Sequence, residues 1–115
     1  MTDRARLERL RQMAGMVLDL RKASLAKAAA ERTALREKLE ALDRLPDAAA
    51  MQDVTEAQRF LVYEGWAAGR RSRLNIQLAR QEAIWLTGLA AARQAFGREQ
   101  VLARLQEKAA KLRRR

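Results

Sequence analysis

The stretch Leu45-Pro46-Asp47-Ala48-Ala49-Ala50-Met51-Gln52-Asp53 interrupts an otherwise helical pattern. Pro46 has no backbone N–H and disfavours helical geometry at the residue before it, so a helix should end at about residue 44. Asp53 is followed three residues later by Glu56, an arrangement that satisfies the free amides at a helix start. We therefore predict a helix over residues 3–44, a turn over 45–53 and a second helix over 54–113.

Apolar residues recur at helical spacing on both sides of this break. Before it they are Leu7, Leu10, Ala14, Val17, Leu18, Leu25, Ala28, Leu35, Leu39 and Leu42, and after it Phe60, Ala67, Leu74, Leu78, Trp85, Leu89, Ala92, Phe96 and Ala103. Each set falls within one arc of a helix and so predicts a packing seam. Because a short connection makes neighbouring helices antiparallel, we predict an all-α fold, a long antiparallel two-helix coiled-coil hairpin whose second helix is longer than the first.

The pairing of the two helices follows from counting outward from the turn. This count places Leu10 beside Leu89 and brings residues 76–84 to the level of Met13, Met16 and Leu20, which lie off the seam of the first helix. It also leaves the residues after about Gly97 as an overhang, a projecting helix without an intramolecular partner.

The composition removes most kinds of catalytic site. The chain has neither Cys nor His, which excludes disulfides, Cys-His and Ser-His-Asp nucleophile systems and zinc sites built on sulfur. Carboxylate pairs such as Glu37 and Glu40 are typical of surface ion pairs on a helix rich in Lys and Arg. We expect no enzyme activity, no metal and no cofactor.

The beginning of the chain leads into an amphipathic segment, which is not the pattern of a secretory signal. There is no run of about 18 apolar residues that would suggest a membrane span. We expect a cytoplasmic protein, without a transmembrane segment.

Basic charge is concentrated in the second half of the sequence. Residues 1–57 hold 11 Lys/Arg and 10 Asp/Glu, whereas residues 58–115 hold 13 and 4, so the net charges are +1 and +9. Such a field favours an acidic partner, whether protein, nucleic acid or membrane surface, although solvated faces of a basic helix explain it as well. Sequence-specific nucleic-acid recognition is not favoured, because helix-turn-helix spacing, a zinc finger and an aromatic stacking platform are all missing.

A second apolar face is predicted on the later helix, roughly opposite its seam. Its members are Val62, Trp66, Ile76, Ile84, Val101, Leu102, Leu105 and Leu112. A two-helix hairpin cannot bury both faces, and contiguous exposed apolar surface usually marks an interface. Scattered surface residues, a homodimer forming a four-helix bundle, and docking to a different protein all remain open. Trp66, with Phe60 and Tyr63 nearby, is the best single anchor for a partner.

A basic two-helix hairpin of this size resembles the FliJ/YscO group of type III secretion stalk proteins. The resemblance rests on Arg6-Leu7-Glu8-Arg9-Leu10, on the short polar hinge, on Ala57-Gln58-Arg59-Phe60, and on Glu99-x-x-Leu102-x-x-Leu105-x-Glu107-Lys108. It extends loosely over nearly the whole chain.

The resemblance implies a flagellar or related export component that is cytoplasmic and peripheral at a membrane-embedded apparatus. Its joined ends would insert into a hexameric export ATPase, and it would also contact the export gate. The ring-facing residues would be Arg6, Leu7, Leu10, Leu102, Leu105, Lys108 and Lys111, and the gate-facing surface would centre on Phe60 and Ala67. The alternatives are a homodimeric coiled-coil adaptor or chaperone unrelated to export, and a basic nucleic-acid-associated helical protein.

Overall fold

The protein is an all-α helical hairpin. A computed structural model describes residues 2–44 and 53–114, which form two helices, α1 (Asp3–Asp43) and α2 (Val54–Arg113), and no strand. The second helix is the longer one, with 60 residues against 41. Of the predicted turn over 45–53, all but Asp53 lies outside the described residues.

Side-chain caps fix the start of both helices. The Asp53 Oδ1 atom accepts a hydrogen bond of 2.7 Å from the backbone N–H of Glu56, as the sequence predicted for the start of α2. At the start of α1, the Thr2 hydroxyl accepts from the N–H of Ala5 at 3.2 Å. In each case a side chain satisfies an amide that has no partner within the helix.

The helices pack as two compact units, each with its own part of the seam. Unit 2 comprises residues 30–83, and its core cluster is formed by Leu35 and Leu42 of α1 with Ala67 and Leu74 of α2. Ala67 and Leu74 are 0 and 1 % exposed. Leu39 and Leu78, each half-buried, pack against this cluster, so leucines dominate the contact.

Unit 1 comprises residues 1–29 and 84–115, and its seam is built from smaller side chains. The buried residues are Leu18 and Ala28 on α1, and Ala92 and Ala95 on α2. Gly88 lies seven residues before Ala95 on the same face of α2, and a Cβ added to it would lie 3.9 Å from the Leu25 Cα. The two backbones therefore come close together at this point.

The predicted pairing between the helices is wrong. Residues after Gly97 do not overhang, because Arg11 of α1 lies 3.6 Å from Glu99 and donates a hydrogen bond of 2.7 Å to Gln106. Leu10 accordingly lines one groove with Val101 and another with Leu105, rather than lying beside Leu89.

The reason for the difference is the position of the extra length of α2. Arg71 of α2 lies 3.1 Å from Asp43, the last residue of α1, so residues 54–70 precede this ion pair. The count made from the sequence placed a tight turn at Pro46, and it therefore assumed that the two helices begin to pair directly on either side of this turn. From Val54 to Arg71, α2 rises by about 25 Å. A connection of ten residues is long enough to cover this distance, because it can span about 33 Å, and a tight turn is therefore not required.

The burial of α2 also corrects its predicted seam. Phe96 is exposed, whereas Gln81, Gly88, Ala95 and Leu102 occupy buried or half-buried positions at spacings of seven. Leu102 was predicted on the opposite face and belongs to the seam side instead. On α1, Val17 was predicted in the seam but is 41 % exposed.

Candidate interaction surfaces

Residues 2–8 and 106–113, near the two ends of the described chain, lie side by side in unit 1. Gln106 joins them, because its amide accepts a hydrogen bond from Arg11 and donates one to Glu8, each at 2.7 Å. Residues 2–8 and 106–113 also line a cleft of about 800 Å³. We call this region the terminal end of unit 1.

The structure brings together five of the residues that the resemblance assigned to a ring-facing surface. Arg6, Leu7, Leu10, Leu105 and Lys108 line one groove of about 380 Å³, together with Asp3, Ala109 and Leu112. Leu102 lines a neighbouring groove of about 710 Å³, which shares Leu10 with the first. Lys111 is exposed and lies 3.6 Å from Glu107 on its own helix.

The larger groove contains residues that the sequence did not place together. Leu10, Met13 and Val17 of α1 face Gly97 and Val101 of α2 across it. The sequence put Met13 at the level of residues 76–84, and only the true pairing of the helices brings it to Val101. The spacing of Leu10, Met13, Val17 and Leu20, a second stripe beside the seam, is the signal that points to this surface.

The net charge of the chain is confined to unit 1. The sequence of unit 1 contains 15 Lys/Arg and 5 Asp/Glu, a balance of +10, whereas unit 2 contains nine of each and is neutral. The two halves of the sequence, residues 1–57 and 58–115, do not show this contrast, because each unit takes part of both helices. Unit 1 therefore favours anionic partners, and unit 2 does not.

Unit 2 carries four of the five remaining candidate residues. Trp66 is 55 % exposed, and its ring lies 5.5 Å from that of Tyr63, measured between centroids. Ile76 is 53 % exposed, whereas Phe60 is half-buried. Ala67 has no exposed surface, so a partner at this position would touch its neighbours instead. Ile84, the last candidate, is exposed and belongs to unit 1.

An ion-pair cluster in unit 2 was not foreseen from the sequence. Arg32 is a polar residue that interrupts the apolar seam of α1. Its Nε lies 2.6 Å from Glu82 Oε1, and the same oxygen accepts a hydrogen bond of 2.8 Å from Arg36 Nη2. The side chains of Arg32 and Glu82 are 21 and 32 % exposed. The cluster provides Arg32 with a carboxylate partner at the seam.

Within the described parts of the chain, neither helix has an apolar stretch that could span a lipid bilayer. The same residues contain no group of three or more Asp and Glu side chains that could hold a metal ion. Comparison with protein-family models, with curated proteins and with solved structures finds no match for this chain.

Proposed function

We propose that this protein is a non-catalytic coiled-coil interaction protein, and that it acts as the stalk of a flagellar or related type III export ATPase. The observation that supports the proposal is the terminal end of unit 1, where Glu8, Arg11 and Gln106 tie the start of α1 to the end of α2. A stalk that enters a protein ring needs such a joined end. The role in export is taken from the family resemblance.

The chemistry of this end suits binding to an acidic, partly apolar surface. Arg6 and Lys108 are exposed beside Leu10 and Leu105, which are about half exposed. Charges at the edge of an interface speed association, while desolvated apolar side chains hold the complex. No chemical step is assigned to this chain, because hydrolysis would belong to the ATPase.

The experiment measures ATP hydrolysis by the cognate hexameric export ATPase with and without the purified protein. Wild type should stimulate hydrolysis, and Arg6→Glu/Lys108→Glu/Lys111→Glu should abolish the stimulation. The matched control is Arg59→Glu/Arg73→Glu/Arg80→Glu, which changes the same amount of charge on exposed residues of unit 2. Absence of both stimulation and binding by wild type would overturn the proposal. Equal losses of stimulation in the two triple variants would show that the terminal end is not the surface that contacts the ATPase.

A homodimeric adaptor is the second candidate function, and the neutrality of unit 2 favours it. Nine cations and nine carboxylates balance there, so a second copy meets no net repulsion. Trp66 and Ile76 supply exposed apolar area, and Ile76 lies in a shallow groove with Ala68, Ser72 and Ala79. Under this candidate, two unit 2 segments would associate into a four-helix bundle.

A further inference from the structure

Unit 1 carries an apolar groove that no part of the described chain fills, which we call the Met13–Val101 groove. Leu10, Met13 and Val17 form one wall, and Gly97 and Val101 belong to the other. Met13 and Val101 are 55 and 54 % exposed. Contiguous exposed apolar surface of this kind is typical of interaction sites.

The shape of the groove suits a helix. Leu10, Met13 and Val17 are spaced three and four apart on one helix face, and they run alongside α2 in a trough between two helices. With the adjoining groove that begins at Asp3, the trough follows α1 from Asp3 to Val17. This corresponds to about 21 Å, or roughly four turns of a docked helix. The space beside Gly97 is open, because a Cβ built on this residue would meet nothing within 4 Å. A side chain of a docked helix would fit there.

The charges along the trough decide the kind of helix. Arg6, Arg98 and Lys108 line it, and among its described lining residues Asp3 is the one carboxylate. These cations lie within a unit of net charge +10. A second copy of this trough would oppose cations with cations, which is unfavourable. A nucleic acid would supply anions but would cover apolar walls that contain no aromatic ring for base stacking.

We propose that the Met13–Val101 groove binds an acidic amphipathic helix of a partner protein. Apolar side chains of that helix, three and four residues apart, lie between Met13 and Val101, and its Asp and Glu side chains approach Arg6, Arg98 and Lys108. This inference goes beyond the proposed function, since it holds whether or not the protein stimulates an ATPase.

The test uses two synthetic helices of about 21 residues as probes, so that roughly one turn extends beyond each end of the four turns that dock in the trough. Both carry Leu at spacings of three and four, and the remaining positions are filled with Glu and Gln in one peptide and with Lys and Gln in the other. Fluorescence anisotropy should show that the Glu peptide binds wild type at least about tenfold more tightly than the Lys peptide, a difference of about 1.4 kcal/mol. Binding of the Glu peptide should weaken as salt rises.

Two variants locate the binding site. Met13→Gln/Val101→Gln should weaken binding of the Glu peptide at least about tenfold. Met16→Gln/Leu86→Gln changes two exposed residues outside the groove lining and should leave this binding unchanged. Arg98→Glu should reduce the preference for the Glu peptide over the Lys peptide. Circular dichroism should show equal helicity in all the proteins.

Three results would overturn the proposal. The first is equal binding of the two peptides by wild type, and the second is an equal loss of binding in the two double variants. The third is a wild-type dimer, seen by analytical ultracentrifugation, that Met13→Gln/Val101→Gln dissociates, because a second copy would then occupy the groove. A protein that fails to stimulate the ATPase but binds the Glu peptide leaves this inference intact, so the two proposals fail separately.

Discussion

Arg11 on α1 and Gln106 on α2 are joined by a hydrogen bond of 2.7 Å from Nη1 to Oε1. Gln106 in turn donates from Nε2 to Glu8, so one amide holds two residues of the facing helix. This pairing fixes which residues of unit 1 share a level, and with it the composition of the terminal end and of the Met13–Val101 groove. The first prediction therefore tests the pairing itself.

Engineered disulfides should report the pairing directly, because the chain has no Cys of its own. In Leu25→Cys/Gly88→Cys the new Cβ at position 88 would lie 3.9 Å from the Leu25 Cα. The two Cα atoms are therefore no more than about 5.4 Å apart, which is within the range found in disulfides. Mild oxidation should cross-link this monomer nearly completely. Leu10→Cys/Leu89→Cys, the pair expected from a tight turn, should stay reduced. Cross-linking of the second pair and not of the first would show that the helices pair in the other register.

The two helices could be predicted from the sequence because their limits are set locally. Asp53 acts as a cap through contacts within one turn, and the apolar residues of α1 repeat at helical spacing. The register could not be predicted in the same way. It depends on the distance between the end of α1 and the start of α2, and no local residue pattern specifies that distance.

The seam of α2 could be predicted only in part, because small and polar residues occupy many of its positions. Gln81, Gly88 and Ala95 carry too little apolar area to stand out in a hydrophobic pattern, whereas the exposed Phe96 does. The same ambiguity affected the candidate surfaces. Met13 and Val101 were each recognised as lying off the seam, but their shared groove follows only from the register.

Loss of the Glu82 carboxylate should destabilise unit 2. Its Oε1 accepts hydrogen bonds from Arg32 and Arg36, and Arg32 lies partly buried at the seam. Glu82→Gln removes the charge that both guanidinium groups face, and we expect a loss of about 1 kcal/mol in the free energy of unfolding. Urea denaturation would measure it, with Glu37→Gln, at an exposed carboxylate of the same unit, as control. Equal stability of the two variants would mean that the cluster contributes nothing.

Gln81 offers a route to a more stable protein. Its Oε1 is buried and accepts no hydrogen bond among the described residues. Gln81→Leu removes a polar atom without a partner and should raise the free energy of unfolding by about 1 kcal/mol. Gln77→Leu, an exposed position one turn earlier on the same helix, should change it little. A lower melting temperature for Gln81→Leu than for wild type would contradict the expectation.

Association through unit 2, if the adaptor candidate holds, should depend on Ile76. This residue is exposed in a groove otherwise lined by small and polar side chains, so Ile76→Lys places a charge where a second copy would pack. The dimer dissociation constant should rise at least about tenfold in analytical ultracentrifugation. Leu86→Lys, at a similarly exposed residue of unit 1, should leave the constant unchanged. A wild type that stays monomeric at high concentration would exclude this candidate.

Truncation after Gly97 should unravel the start of α1, because residues 98–114 cover it. The deletion removes Glu99 and Gln106, the partners of Arg11 and Glu8, and uncovers Leu7. Residues 3–14 would then project from the paired part of α1 without packing partners, and such an end frays because most helical stability in proteins comes from tertiary packing. Hydrogen exchange should show lost protection over residues 3–14 and retained protection over 25–43. Truncation after Lys111 keeps both Glu99 and Gln106 and should preserve protection throughout. Unchanged exchange at residues 3–14 in the shorter chain would mean that α1 begins independently of the end of α2, and that the terminal end is not one structural element.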